Sequence, residues 1–206
     1  MPPAYPVRLD IVGPDRYSRA QLALRVVLFV LIGMVGCSLG ALFLVLYLAL
    51  PAFAAIALSN GSSERFQEVE APRIVRFLRW IIAIYAYFAL VTDQFPTSEP
   101  DGNIHLAIQP GGHPTISSAL LRVFYGLPSV LVLAILLWLA AIAWLFAFLL
   151  VLIRGRYGRG LYEFQTGILR WMARLLAYQA SIVQPYPPFS LGEAALPPPV
   201  HASGPL

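Results

Sequence analysis

Two long apolar stretches without a charged residue constrain this chain more than any other feature of its sequence. They run from Val26 to Leu58 and from Val123 to Ile153. Each is longer than the roughly 20 residues that a helix needs to cross the hydrocarbon core of a bilayer. Because a soluble helix of this length would normally be polar on one face, the two runs predict membrane-spanning helices.

The overall composition favours the same conclusion. The 206 residues are 59% apolar and only 12% charged, which is more apolar surface than one soluble core would bury. The arginine-bearing start and Ala52-Phe53-Ala54 resemble parts of a signal peptide. The first apolar run, however, is about twice as long as the apolar region of such a peptide. We therefore expect this run to stay in the mature protein.

The charge pattern predicts contact with lipid headgroups. All 14 basic residues are arginine, the formal net charge is +4, and the arginines flank the apolar runs. This placement is typical of positive-inside topology and of binding to anionic headgroups, and it argues against nucleic acid as a partner. Gly33, Gly36 and Gly40 favour close packing against a membrane protein partner or a second copy of the chain. We expect an integral protein of the bacterial cytoplasmic (inner) membrane.

Self-comparison predicts an internal repeat. Leu24-Arg25-Val26 recurs as Leu121-Arg122-Val123, and Leu78-Arg79-Trp80 recurs as Leu169-Arg170-Trp171. The sequence therefore predicts an all-α integral membrane protein with two tandem copies of one unit. The copies cover residues 5–97 and 98–191, and a proline-rich, disordered tail covers residues 192–206.

Each copy is predicted to contain a short strand, a long apolar transmembrane helix or hairpin, and an amphipathic interfacial helix. Period-two alternation over residues 7–11 predicts the strand. Arg170 and Arg174 share one face of the mixed helix, which favours a position at the membrane surface. If each apolar run crossed the membrane once, the two copies would have opposite orientations in the membrane. Nine arginines would then lie on one side and five on the other. Hairpins, split in the first run at Gly36-Cys37-Ser38, would place all 14 on one side.

A family resemblance rests on the end of the second copy. Gly155-Arg156-Tyr157-Gly158-Arg159, Leu169-Arg170-Trp171 and Tyr186-Pro187-Pro188-Phe189 resemble the bacterial membrane family catalogued as domain of unknown function 4389. Its members carry a Gly-Arg-Tyr-Pro-Arg turn, from which this chain departs at Gly158. The first copy has Ser59-Asn60-Gly61-Ser62 in place of the turn. The resemblance implies a helical membrane protein and, because the family is uncharacterised, no activity.

Few side chains could carry catalysis or bind a metal. His105, His113 and His201 lie in a strand, a loop and the tail without ligand spacing, and Cys37 is the single cysteine. We therefore expect no catalytic residue, metal or cofactor, and the scarcity of polar groups in the apolar runs argues against transport. The expected role is non-enzymatic scaffolding, assembly or membrane organisation. The alternatives are membrane curvature through short hairpins and amphipathic helices, or an accessory subunit of a larger membrane complex.

Two sets of side chains are predicted to meet the membrane. Arginines after the second run suit lipid phosphates, and aromatic rings with a polar edge suit the boundary between lipid and water. The predicted headgroup contacts are Arg154, Arg156, Arg159, Arg170 and Arg174. The predicted interfacial anchors are Trp80, Trp171, Tyr178 and Tyr186.

Overall fold

Helices dominate the computed structural model, which describes residues 5–34, 38–96 and 103–192. The predicted tail lies outside these residues, apart from Gly192. The elements in chain order are β1 (Val7–Ile11), α1 (Arg19–Met34), α2 (Leu39–Ser59), α3 (Ser63–Arg65), a π-helical segment (Phe66–Glu70), α4 (Ala71–Phe88), β2 (Ile104–Ile108), α5 (Ile116–Tyr125), α6 (Leu127–Arg154) and α7 (Arg159–Gln179).

The first apolar run forms two helices with different neighbours. Helix α1 packs on α6, whereas α2 packs on α5 and α7. The Ser38 hydroxyl caps α2 by accepting a hydrogen bond from the Ala41 N–H. Within the described part of the chain, α1 and α2 share no extensive contact. The first run is therefore not a packed hairpin, and the predicted turn residues Gly36 and Cys37 lie outside the described residues.

From Leu127 onward the second apolar run is one uninterrupted helix, so the hairpin alternative is wrong for this run. Helix α6 has 28 residues and a length of about 42 Å, more than the roughly 30 Å of a hydrocarbon core. Pro128 lies in its first turn, where the missing N–H breaks no helical hydrogen bond. Helices α2 and α6 are the two, among the described residues, that are long and apolar enough to cross a membrane.

Helix α6 buries three alanines along one face and exposes most of its large apolar side chains. Ala140, Ala143 and Ala147 are buried against the neighbouring helices, whereas Ile135 and Trp138 are 64% and 79% exposed. Small residues let helix backbones approach closely, which is how helices associate in lipid. A contiguous apolar surface of this kind marks contact with a membrane or another protein.

The two strands form an antiparallel pair that joins the two halves of the chain. Leu9 of β1 lies opposite Leu106 of β2, its equivalent under the repeat alignment. The predicted alternation is confirmed, since the odd-numbered residues of β1 are buried. Arg79 of α4 donates to the Leu106 carbonyl at 3.4 Å, and Arg170 of α7 donates to the Leu9 carbonyl at 3.0 Å. The sheet thus ties each amphipathic helix to the strand of the other half.

Helix α7 lies inside the fold, which differs from the interfacial position predicted for it. Every residue from Gln165 to Gln179 is buried except Arg170, which is half-buried, and α7 packs against α2, α4, α6 and β1. The segment after α7 folds back over its polar face. Its Ser190 and Gly192 carbonyls accept hydrogen bonds from Arg174 at 2.9 and 2.6 Å. Backbone carbonyls therefore replace the water or headgroups that the exposed guanidinium would have needed.

Helices α4 and α7 end in the same way. Leu90 and Ser181 have φ of 63° and 59°, in the left-handed region that glycine usually occupies. The Val91 N–H donates to the Ala86 carbonyl at 3.0 Å, and the equivalent bond after α7 is 3.2 Å. This 6→1 hydrogen bond defines a Schellman motif, which satisfies carbonyls at the end of a helix.

A buried arginine lies against each of these helix ends. Arg25 of α1 lies 4.3 Å from the ring centroid of Tyr87 and donates to the Thr92 carbonyl. Arg122 of α5 lies 4.5 Å from the ring centroid of Tyr178 and donates to the Val183 carbonyl at 2.6 Å. The partial negative charge at a helix C-terminus stabilises a cation in this position. These arginines therefore fasten the two apolar runs to the two amphipathic helices.

Candidate functional site

Four arginines converge on an open recess at one end of α6. Arg16 and Arg19 come from the start of the first half, and Arg154 and Arg156 flank the end of α6. Tyr17 and Gly155 complete the lining, and the volume is about 590 Å³. All four arginines are exposed. We call this site the arginine recess.

Backbone contacts hold the two sides of the arginine recess together. Gly155 ends α6 in the left-handed region, with φ of 67°, and its carbonyl accepts the Tyr17 N–H at 3.0 Å. The Tyr17 and Tyr157 rings pack with their centroids 5.6 Å apart. Because a glycine reaches this conformation without strain, the chain can turn sharply after Arg154 and bring Arg156 to the same side.

The charges of the arginine recess are not paired with carboxylates of the described residues. The partial negative charge at the end of α6 offsets part of their mutual repulsion. Guanidinium groups bind phosphate through paired, charge-assisted hydrogen bonds, so the recess is suited to a phosphate or another oxyanion.

The tyrosines at the recess act as neutral hydrogen-bond donors. Burial raises the pKa of Tyr17 and of Tyr157 above the usual range. The two hydroxyls donate to the carbonyls of Val91 at 3.5 Å and Ala89 at 3.2 Å. The lining residues are thus four cations, a neutral phenol and a glycine. This donor set can hold an anion but includes no general base.

The predicted headgroup contacts divide between the recess and other locations. Arg154 and Arg156 line the recess, whereas Arg159 lies outside it, 93% exposed and paired with Glu163 at 2.9 Å. Arg170 and Arg174 turn into the fold and bind backbone carbonyls. Arg16 and Arg19 were not predicted, because only the contact with α6 brings them to this site.

The predicted interfacial anchors divide in the same way. Trp80 and Tyr186 are 38% and 36% exposed, whereas Trp171 and Tyr178 are 3% and 7% exposed. Trp171 packs edge-on against the Phe189 ring, with the ring centroids 5.5 Å apart. The structure therefore makes two of the four aromatic residues part of the protein core rather than of its surface.

Comparison with known proteins finds a family model that is similar to part of the chain. Residues 117–190 match the family model described as "Domain of unknown function (DUF4389)". The match covers α6, α7 and two of the four recess arginines, and it leaves the predicted first copy, residues 5–97, unmatched. No curated protein and no solved structure matches the chain. The family description names no activity.

Proposed function

We propose that this protein is integral to a bacterial cytoplasmic membrane and organises anionic lipid there without catalysing a reaction. One observation supports this more than any other: the exposed apolar face of α6 leads directly into the arginine recess. A helix whose apolar side chains enter hydrocarbon would hold its terminal arginines at the level of the lipid phosphates. The lining of the recess favours binding over catalysis.

The contacts at the recess also support an orientation for the proposed topology. The start of α1 and the end of α6 meet there, so the two apolar runs approach this end in opposite chain directions. If each run crosses the bilayer once, the recess and the neighbouring Arg159 lie on one side. Because arginine is enriched on the cytoplasmic side of membrane proteins, we propose that the recess faces the cytoplasm.

We further propose that residues 5–97 and 98–191 are two copies of one unit. The family match covers only part of the second, so the support for the first comes from equivalent contacts. The buried Arg25 and Arg122, the left-handed Leu90 and Ser181, and the crossed hydrogen bonds of Arg79 and Arg170 all occupy aligned positions. These three shared arrangements support the proposal of two related copies.

Lipid retention tests the proposed role. The full chain is reconstituted into vesicles of mixed phosphatidylglycerol and phosphatidylcholine, washed in alkaline carbonate and extracted in mild detergent, and the retained lipids are quantified. We expect the protein to stay in the membrane pellet and to retain phosphatidylglycerol in several-fold excess. Replacing both Arg154 and Arg156 with glutamine should remove that excess, because the recess would lose half of its cations.

Arg159→Gln is the matched control, since Arg159 is close in sequence but does not line the recess. It should leave the phosphatidylglycerol excess unchanged. Equal retention of the two lipids by the original chain would contradict headgroup binding. Release of the protein by carbonate into a detergent-free supernatant would contradict membrane insertion.

A further inference from the structure

A second cavity lies between α2 and α4 and shares no lining residue with the arginine recess. Its volume is about 720 Å³, within the roughly 300–1,000 Å³ typical of small-molecule sites. Its walls are the side chains of α2 and α4, and the π-helical segment closes one side. Single π-helical turns occur frequently at functional sites. We call this cavity the α2–α4 groove.

The α2–α4 groove is apolar along most of its length. Leu50, Phe66 and Ile74 are buried at its base, and Phe53 and Ile56 are exposed at its rim. On the α2 side the lining extends from Leu46 to Ala57, a rise of about 17 Å. An apolar groove of this length, lined on one side by a candidate membrane helix, has the shape and polarity that an acyl chain requires.

The polar lining of the groove comes from residues that follow one another closely in the chain. Asn60 lies just beyond α2, Arg65 ends α3, Glu70 ends the π-helical segment and Arg73 lies in the first turn of α4. Arg73 donates from Nη1 to the Glu70 Oε1 at 3.2 Å. Glu70 therefore orients the guanidinium through one of its nitrogens. The Arg73 side chain is still 69% exposed, and its other N–H groups are available to a ligand.

We propose that the α2–α4 groove binds one glycerophospholipid, with an acyl chain along the apolar walls and the phosphate on Arg65 and Arg73. The two guanidinium groups complement a phosphodiester, which is present in every common glycerophospholipid. The apolar walls complement the chain. Because α2 is one of the two candidate membrane helices, the proposal rests on the membrane insertion proposed above.

Binding is measured on the full chain in mild detergent, by native mass spectrometry with added lipid. The probes are short-chain phosphatidylethanolamine, phosphatidylglycerol, a diacylglycerol of the same chain length, and free glycerophosphate. In the Arg154→Gln, Arg156→Gln chain, whose arginine recess has lost half of its cations, we expect the two phospholipids to bind equally, because they share the phosphate that the groove contacts. Diacylglycerol and glycerophosphate should bind at least about tenfold more weakly, since each loses either the charged hydrogen bonds or the acyl contact.

Two pairs of variants separate the two parts of the site. Arg73→Gln should weaken phospholipid binding about tenfold, whereas Arg76→Gln, exposed on the same helix but outside the groove, should have no effect. Ala49→Trp should block the groove and abolish binding. Ala52→Trp is its control, because Ala52 is exposed on α2 and does not line the groove.

Equal binding of diacylglycerol and phospholipid would overturn the proposed phosphate site. Binding that survives Ala49→Trp would overturn the proposed acyl site. Loss of all phospholipid binding in the Arg154→Gln, Arg156→Gln chain would assign the lipid to the arginine recess instead. These outcomes differ from failure of the proposed function, which would appear as release by carbonate or as equal retention of the two vesicle lipids.

Discussion

Ser181 offers a test of the backbone conformation that ends α7. Its φ is 59°, it is 1% exposed, and its hydroxyl has no hydrogen-bond partner within the described residues. Ser181→Gly should relieve about 1–2 kcal/mol of left-handed strain and remove an unsatisfied hydroxyl worth about 1 kcal/mol or more. The greater freedom of glycine in the unfolded chain opposes this by roughly 0.5–1 kcal/mol. We expect the free energy of unfolding to rise by about 1–2 kcal/mol.

The same substitution at the equivalent end of α4 should have the opposite effect. Leu90 has nearly the same backbone, with φ of 63°, but its side chain is completely buried. Removing a buried leucine side chain costs about 2–5 kcal/mol, which exceeds the strain that glycine relieves. Leu90→Gly should therefore lower the free energy of unfolding by about 1–3 kcal/mol.

Thermal unfolding of the purified chain in mild detergent, followed by tryptophan fluorescence, measures both effects. In a protein of this size 1 kcal/mol moves the midpoint by about 2–4 °C. Ser181→Ala is the control, because it removes the hydroxyl and keeps a Cβ in the left-handed region. Its midpoint should lie between those of the original chain and Ser181→Gly. A lower midpoint for Ser181→Gly, or equal midpoints for the alanine and glycine variants, would refute the argument from strain.

Three further predictions use the same melting assay. Arg122→Met removes the buried guanidinium that donates to the carbonyls of Tyr178 and Val183, and it should lower the free energy of unfolding by about 2–4 kcal/mol. Asp93→Asn weakens the 2.8 Å ion pair with the buried Arg25 and should lower the free energy of unfolding by about 1–3 kcal/mol. An unchanged midpoint would show that the ion pair does not stabilise the fold. Because burial raises the pKa of Tyr157, the unfolded chain ionises first and stability should fall as the pH rises above about 10. Tyr157→Phe should make that fall shallower, and an unaltered slope would contradict this.

The helix ends also explain how a chain with so few polar residues specifies one packing. Arg25 and Arg122 each combine a ring contact with hydrogen bonds to carbonyls near the end of an amphipathic helix. A guanidinium removed from these carbonyls would lie unpaired among apolar side chains, which is costly. The two arginines therefore penalise other registers between the apolar runs and α4 or α7, where apolar contacts alone discriminate weakly.

Features that depend on neighbouring residues were predictable from the chain. The uncharged runs predicted long apolar helical segments, with one helix or a hairpin left open for α6, and the alternation over residues 7–11 predicted β1. Both follow from local periodicity, because successive side chains on a helix or a strand point in fixed directions. The basic turn after α6 was also predictable, because its arginines directly follow the apolar run in the sequence. It contributes Arg154 and Arg156 to the arginine recess.

Features that depend on which segment covers another could be learned only from the folded chain. The amphipathic pattern of α7 is the same whether its polar face meets water, headgroups or protein. The returning segment that ends at Gly192 covers that face and supplies carbonyls to Arg174. In the sequence, Arg16 and Arg154 are separate basic residues, and nothing nearby indicates that they share a site. The contact between Tyr17 and Gly155 brings them together. A side chain's residue type defines what it can bind, and the fold defines what it reaches.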